Sequence, residues 1–420
     1  MRFSSQVAWT FATRVLMVFN SVAAGIIVAH WLGAEGVGQL AVVNVAVATI
    51  VQVGSFGLPS SNTYFIAQDQ ARFRAAVLNS LVFALSAGSV MAFALSVAAS
   101  TRPDWFGPNA ARLIQIAAFS IPFQLLTLIG LNILLAVGKV RQFNLLDLLS
   151  QSFVLINAAW VSQTIKGDLS RLVLWNTITS VLVSIVVAAL VAISAKHLAS
   201  ARWRADITLL RRMLGYGLKF HISILAGIII IRADLLVVNH FRGAAEAGVY
   251  SVASQFALLI MLLPGVIATL LFPRVASEQD AHGETTCQAS RYTTFILFLC
   301  CVAAIPFSLL LPLVYGASFS AAPGLLWILL PGVYLMGLES VLVQHFNALG
   351  LPLGIPLYWL ATLVLNLILV FALVPRYGAQ GAAIASSISY GVIFALVALH
   401  FHTSTGRSFA EVFVLRSVRG

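Results

Sequence analysis

At 420 residues, 60% hydrophobic and only 9% charged, the chain carries far fewer charges than the roughly 25% of an average soluble protein. Its 24 Lys and Arg and 13 Asp and Glu are too few to cover a water-soluble globule, and the mean hydropathy of +0.98 agrees. These figures exclude a soluble enzyme, a nucleic-acid binder and a disordered scaffold, and the net charge of +11 then calls for a topological explanation.

A helical span needs about 20 mostly apolar residues to cross roughly 30 Å of hydrocarbon. From the N-terminus, the first such run covers 9–30; it is too long for the apolar region of a cleaved signal and contains Arg14, so it reads as a retained helix. Runs at 38–58, 75–99, 112–136, 143–164 and 171–194 follow. After a basic stretch come 214–240, 247–272, 291–314, 322–349, 356–374 and 379–401. The fold expected is an all-α polytopic membrane protein of about twelve spans. The longest connection, near 195–213, is too short for a soluble domain. Residues 1–200 then form an N-terminal six-helix bundle, 201–213 a basic cytoplasmic linker and 214–420 a C-terminal six-helix bundle.

Sorting Lys and Arg by connection sets the orientation. Fifteen lie on the side of the N-terminus, among them Arg72, Arg74, Lys139, Arg141, Lys196, Arg202, Arg211 and Arg212, against six on the other side, while Arg14, Lys219 and Arg232 fall inside spans. The bias places both termini in the cytoplasm, where anionic lipid also favours basic loops.

The two halves resemble each other. HWLGAEGVGQLAVV at 30–43 and HFRGAAEAGVYSVA at 240–253 align at an offset of 210, pairing His30 with His240, Gly33 with Gly243, Ala34 with Ala244 and Gly38 with Gly248. Each following helix is expected to end at a proline, Pro59 or Pro273, and AVG at 136–138 answers ALG at 348–350. An even number of spans per half makes the repeats parallel, so that two bundles surround a central cavity, the natural place for a substrate path by rocking.

VAHWLGAEGVGQLAVVNVAV (28–47) and LVPRYGAQGAAIASSISYGV (373–392) resemble the segments after the first helix and before the last helix of Wzx-type polysaccharide or O-antigen repeat-unit flippases. Those proteins belong to the multidrug/oligosaccharidyl-lipid/polysaccharide (MOP) exporter superfamily. AQDQARFR at 67–74 does not fit the corresponding loop of the major facilitator pattern. The resemblance implies a flippase of the bacterial inner membrane that moves an undecaprenyl-pyrophosphate-linked oligosaccharide by alternating access. Its partners would be the lipid-linked substrate, membrane lipids, and a polysaccharide polymerase with its export machinery. A cation-coupled multidrug antiporter of the same superfamily is the alternative.

A cation near the bilayer centre costs roughly 2.5–3.5 kcal/mol on insertion scales, which marks intramembrane charges as functional candidates. Arg14 and Arg232, on the first and seventh helices, are the candidates for holding the diphosphate, with Lys219 beside them; Arg14 has the alternative of reaching the inner head groups. Asp234 and Glu339 are the candidates for cation coupling, with interhelical bridging as the plainer role. Asp234 is two residues from Arg232 and points elsewhere on the helix. Gln52, Gln124, Asn132, Gln344 and His345 are candidates for sugar contacts, or else interhelical bonds. Asp147 sits near a helix end and reads as solvated. Cys287, Cys300 and Cys301 read as apolar filler. The sequence contains no P-loop, nucleophile–base constellation or metal-ligand spacing, so no cofactor and no enzymatic activity is expected.

Overall fold

The computed structural model describes residues 3–68, 73–164, 168–198, 203–278, 280, 282–350 and 352–414, and the regular elements among them are helical. They are α1 (Phe3–Gly54), α2 (Leu58–Gln68), α3 (Phe73–Thr101), α4 (Pro103–Phe106), α5 (Pro108–Ala118), α6 (Ile121–Ala136), α7 (Val140–Thr164) and α8 (Leu169–Leu198). After them come α9 (Ile207–Arg242), α10 (Ala244–Ile260), α11 (Leu262–Glu278), α12 (Glu284–Ser308), α13 (Leu311–Tyr315), α14 (Ala322–Leu349), α15 (Gly354–Thr405) and α16 (Phe409–Phe413). Of the basic residues that set the expected orientation, Arg2, Arg72, Lys166, Arg202, Arg416 and Arg419 lie outside the described residues, as does the side chain of Lys196.

Nine stretches among the described residues are long and apolar enough to cross a bilayer, or ten when α5 and α6, bent by 56° at their junction, count as one span. Two of these are double. A continuous helix as long as α1 or α15, each 52 residues, would run about 78 Å at 1.5 Å per residue, far more than a bilayer needs. Both are broken by a glycine in non-helical conformation, Gly33 (φ 63°) and Gly378 (φ 59°), so the described stretches amount to about twelve spans. The chain divides into two compact units, residues 1–225 and 226–420, and the change of unit falls inside α9.

The repeat read from the sequence has a backbone counterpart. Gly33 and Gly243 both take positive φ (63° and 86°), as do Gly138 and Gly350 (75° and 114°). Gly107 and Gly316 (81° and 105°) add a third equivalent pair. A side chain in this left-handed region costs about 1–2 kcal/mol, so the matched glycines mark matched turns. The prolines behave differently. Pro59 lies in the first turn of α2, where a missing N–H is harmless, but α11 continues through Pro273 to Glu278, so that helix does not end at its proline.

The outer surface, as well as the core, carries large apolar side chains. Large apolar side chains such as Phe93 (72% exposed) and Leu313 (77%) point outward, as lipid contact requires. Polar groups pair inside the units: Asn62 with Ser80 in the first, Asn366 with Ser389 in the second. With no water in the hydrocarbon to satisfy them, such groups hold helices together.

The first part of α9 is bound into the first unit. The Asn79 side chain donates to the Asp206 carbonyl at 2.7 Å and accepts from the Asp206 N–H at 3.0 Å. The Ser61 hydroxyl donates to the Met213 carbonyl, and the Tyr64 and Tyr216 rings stack 4.3 Å apart. Between these contacts the backbones of Gly57 and Gly217 touch: a Cβ on Gly57 (φ 72°) would lie 2.3 Å from the Gly217 carbonyl oxygen. Gly57→Ala is expected to lower stability by about 2–5 kcal/mol, from about 1–2 of left-handed strain and about 1–3 of overpacking. Thermal unfolding in detergent checks this, with Gly215→Ala, where a Cβ meets nothing within 4 Å, as the control.

Candidate functional site

Polar residues recur at helical spacing along the spans of the first unit, and the fold turns those stripes toward one another. Asn44 and Gln52 stand on the second half of α1, Ser120, Gln124 and Thr127 around the α5–α6 bend and along α6, Asp147, Ser150 and Gln151 on α7, and Asn176, Thr177 and Ser180 on α8. Together with apolar neighbours such as Val47, Leu128 and Phe153 they line a cavity of about 540 Å³. That volume falls within the roughly 300–1,000 Å³ of small-molecule sites.

Among the described residues of the lining, Asp147 is the charged one. Arg14 on α1 and Asp147 on α7 form an ion pair at 3.0 Å, and the Arg14 guanidinium also lies over the Phe143 ring, 5.8 Å from its centroid. Two further bonds flank the pair along the same two helices: Asn144 donates to the Thr10 hydroxyl at 2.8 Å and Asn20 to the Ser152 hydroxyl at 2.9 Å. Residue numbers rise together on both helices, so α1 and α7 run parallel and are stitched at three levels. The expectation of Asp147 as a solvated helix-end carboxylate is therefore corrected: it is the partner of Arg14 and part of the cavity wall.

The polar groups of the wall fall into two sets. Some are already held: Gln124 donates to the Ser120 hydroxyl at 2.8 Å, and Asn157 donates to Asn176 at 2.9 Å and to Thr179 at 3.1 Å. Asn44, Gln52, Thr127, Ser150 and Gln151 have no side-chain hydrogen bond to protein among the described residues. Their donors and acceptors are open to whatever fills the cavity.

The remaining candidates are dispersed. Asn132, on the same helix as Gln124, turns back to the Leu128 carbonyl at 2.9 Å and does not line the cavity. In the second unit, Gln344 donates to the Ser340 carbonyl at 3.2 Å, while His345 is buried against Phe346 and Phe401 with its Nδ1 3.5 Å from the Thr286 hydroxyl. The Lys219 side chain lies outside those described. Arg232 is exposed, with no hydrogen bond or ion pair among the described residues. Asp234 is buried, accepting from the hydroxyls of Tyr250 and of Ser386 (2.8 Å) and from the Leu235 N–H (2.7 Å). Glu339 is equally buried, yet its Oε1 has no partner among the described residues. No group of three His, Cys, Asp or Glu among the described residues is placed to hold a metal ion.

Residues 27–322 match a family model described as polysaccharide biosynthesis protein. A Haloferax volcanii protein named probable flippase AglR is 31% identical over 179 residues, 40% of this chain and 37% of that relative. The succinoglycan biosynthesis transport protein ExoT of Rhizobium meliloti is 24% identical over 279 residues, 64% of this chain and 54% of that relative. The matched stretches span between 37% and 54% of the curated relatives' own lengths. Among solved structures, the lipid II flippase MurJ in an inward closed conformation is similar with a TM-score of 0.77 at 19% identity, covering 94% of this chain and 87% of that one. A multidrug resistance transporter of the MATE family, in the MOP superfamily, is similar with a TM-score of 0.71 at 17% identity, covering 93% and 94%. At those identities the likeness to both structures is one of fold.

Proposed function

Because the chain belongs to the polysaccharide biosynthesis protein family, as the match over residues 27–322 establishes, we propose that it is a flippase for a polysaccharide precursor, a lipid-linked oligosaccharide on undecaprenyl pyrophosphate. It works in a bacterial inner membrane by alternating access, with both termini in the cytoplasm and with a polysaccharide polymerase and export machinery downstream. The observation that carries this reading is the cavity of the first unit, walled by carboxamides and hydroxyls with open hydrogen-bonding capacity. Sugars present many hydroxyls that both donate and accept, and carboxamides answer them in kind.

Roles follow from chemistry. Arg232 and Arg14, with Lys219, supply cationic donors for the diphosphate. Gln52 and Gln124 contact the sugars from the cavity wall. Asp234 and Glu339 couple movement to a cation gradient. A multidrug antiporter is expected to present aromatic faces and open carboxylates to a cationic drug; here Phe153 is the aromatic residue of the described lining and Asp147 is already paired.

The test is the fate of the carrier lipid. Cells lacking the protein are expected to accumulate a sugar-loaded polyprenyl pyrophosphate on the inner leaflet and to lose surface polysaccharide. Unchanged levels of both would reject the flippase reading.

A further inference from the structure

Charge on the cavity wall limits what sugar it can take. Among the described residues that line it, Asp147 is the one ionisable group and no Lys or Arg is present. The nearest cation, Arg14, is engaged by Asp147 at 3.0 Å, over the Phe143 ring and between the flanking Thr10–Asn144 and Asn20–Ser152 bonds. A carboxylate brought into this space finds no unpaired cation among the described lining residues and has to compete with Asp147 for Arg14. A hydroxyl or an N-acetyl group meets the open carboxamides of Asn44, Gln52 and Gln151 and the hydroxyls of Thr127 and Ser150.

We propose that the first unit selects uncharged sugars, hexoses and N-acetylhexosamines, and rejects uronic and other acidic sugars, the discrimination residing in the neutral wall and in the Arg14–Asp147 pair. This rests on the flippase reading above and adds the chemical class of the head group. Selection works in both directions. Neutral polar groups satisfy hydroxyls and amides, and Asp147, by holding Arg14 at 3.0 Å, denies that cation to an acidic sugar. A site built to hydrogen-bond its ligand also discriminates strongly, since an ill-matched occupant leaves buried polar groups unpaired.

The experiment uses the full chain in proteoliposomes with two synthetic probes, undecaprenyl pyrophosphate bearing a neutral N-acetylhexosamine–hexose disaccharide and the same lipid with glucuronic acid in place of the hexose. The neutral probe is expected to cross at least about tenfold faster. Asp147→Asn keeps the shape of the pair but releases the Arg14 charge, and Gln151→Lys places a new cation on the wall. Each is expected to raise the acidic probe's rate relative to the neutral one, with monodispersity in detergent verifying that the variants fold. Equal crossing of both probes by the unaltered protein overturns the sugar selection and leaves the flippase reading standing. If neither probe crosses faster than in protein-free vesicles, the flippase reading falls and the selection with it.

Discussion

Arg232→Ala is expected to abolish export of surface polysaccharide while the protein reaches the membrane at its normal level, and Arg232→Lys to restore part of the export. The reasoning starts from cost. An arginine near the bilayer centre is unfavourable by roughly 2.5–3.5 kcal/mol on insertion scales, so truncating one that bridges no other group leaves insertion unharmed or improved. Arg232 is exposed and forms no hydrogen bond or ion pair among the described residues. Lost export is then a loss of substrate contact, not of fold. Lysine keeps the charge but not the planar fork that grips two phosphate oxygens at once, hence the partial rescue. Arg14 is a poorer probe, because its removal strands Asp147 in the wall of the first unit and mixes folding with binding. Export by Arg232→Ala at the unaltered rate would take Arg232 out of the site.

Much of the architecture was legible in the sequence because the bilayer imposes one length on every span. Apolar runs near 20 residues marked about twelve spans, including both halves of α1 and α15, which meet at the kinks of Gly33 and Gly378. The glycines at the repeated turns were legible for a related reason: a position with positive φ tolerates little else. What the sequence hid was partnership. Arg14 and Asp147 are 133 positions apart and meet only because α1 and α7 lie parallel. Nothing local marks Asp147 as different from a solvated helix-end acid. The same holds for the first part of α9, which packs on Asn79, Ser61 and Gly57 of the first unit although its span opens the second repeat. Gln52 and Gln124 share a cavity with Asn44, Gln151 and Asn176, whose stripes were in view, but periodicity alone does not say whether a polar stripe meets water, a partner helix or a ligand. Asn132 illustrates the difficulty: it lies eight positions, about two turns, from Gln124 and bonds its own helix backbone.

The two buried acids of the second unit are expected to part company when neutralised, and Glu339→Gln is the change with the larger consequence for energy coupling. Burial makes an unpaired charge costly by several kcal/mol, so a buried carboxyl needs either donors or a visiting cation. Asp234 has donors in place, from Tyr250, Ser386 and the Leu235 N–H. That network joins α9, α10 and α15. Glu339 has an oxygen with no partner among the described residues, which leaves that oxygen open to a visiting cation. Flipping measured in vesicles with and without an imposed ion gradient is therefore expected to respond to the gradient in the unaltered protein. In Glu339→Gln the rate is expected to fall to that seen without a gradient, and in Glu339→Asp to recover in part. Asp234→Asn is expected to act first on the fold. An amide in place of the carboxylate cannot accept from all three donors at once, and each donor left unpaired costs about 1–3 kcal/mol, a loss read as a lowered Tm in detergent. Gradient dependence that persists undiminished in both neutral variants would remove coupling from these two residues and leave them as interhelical bridges.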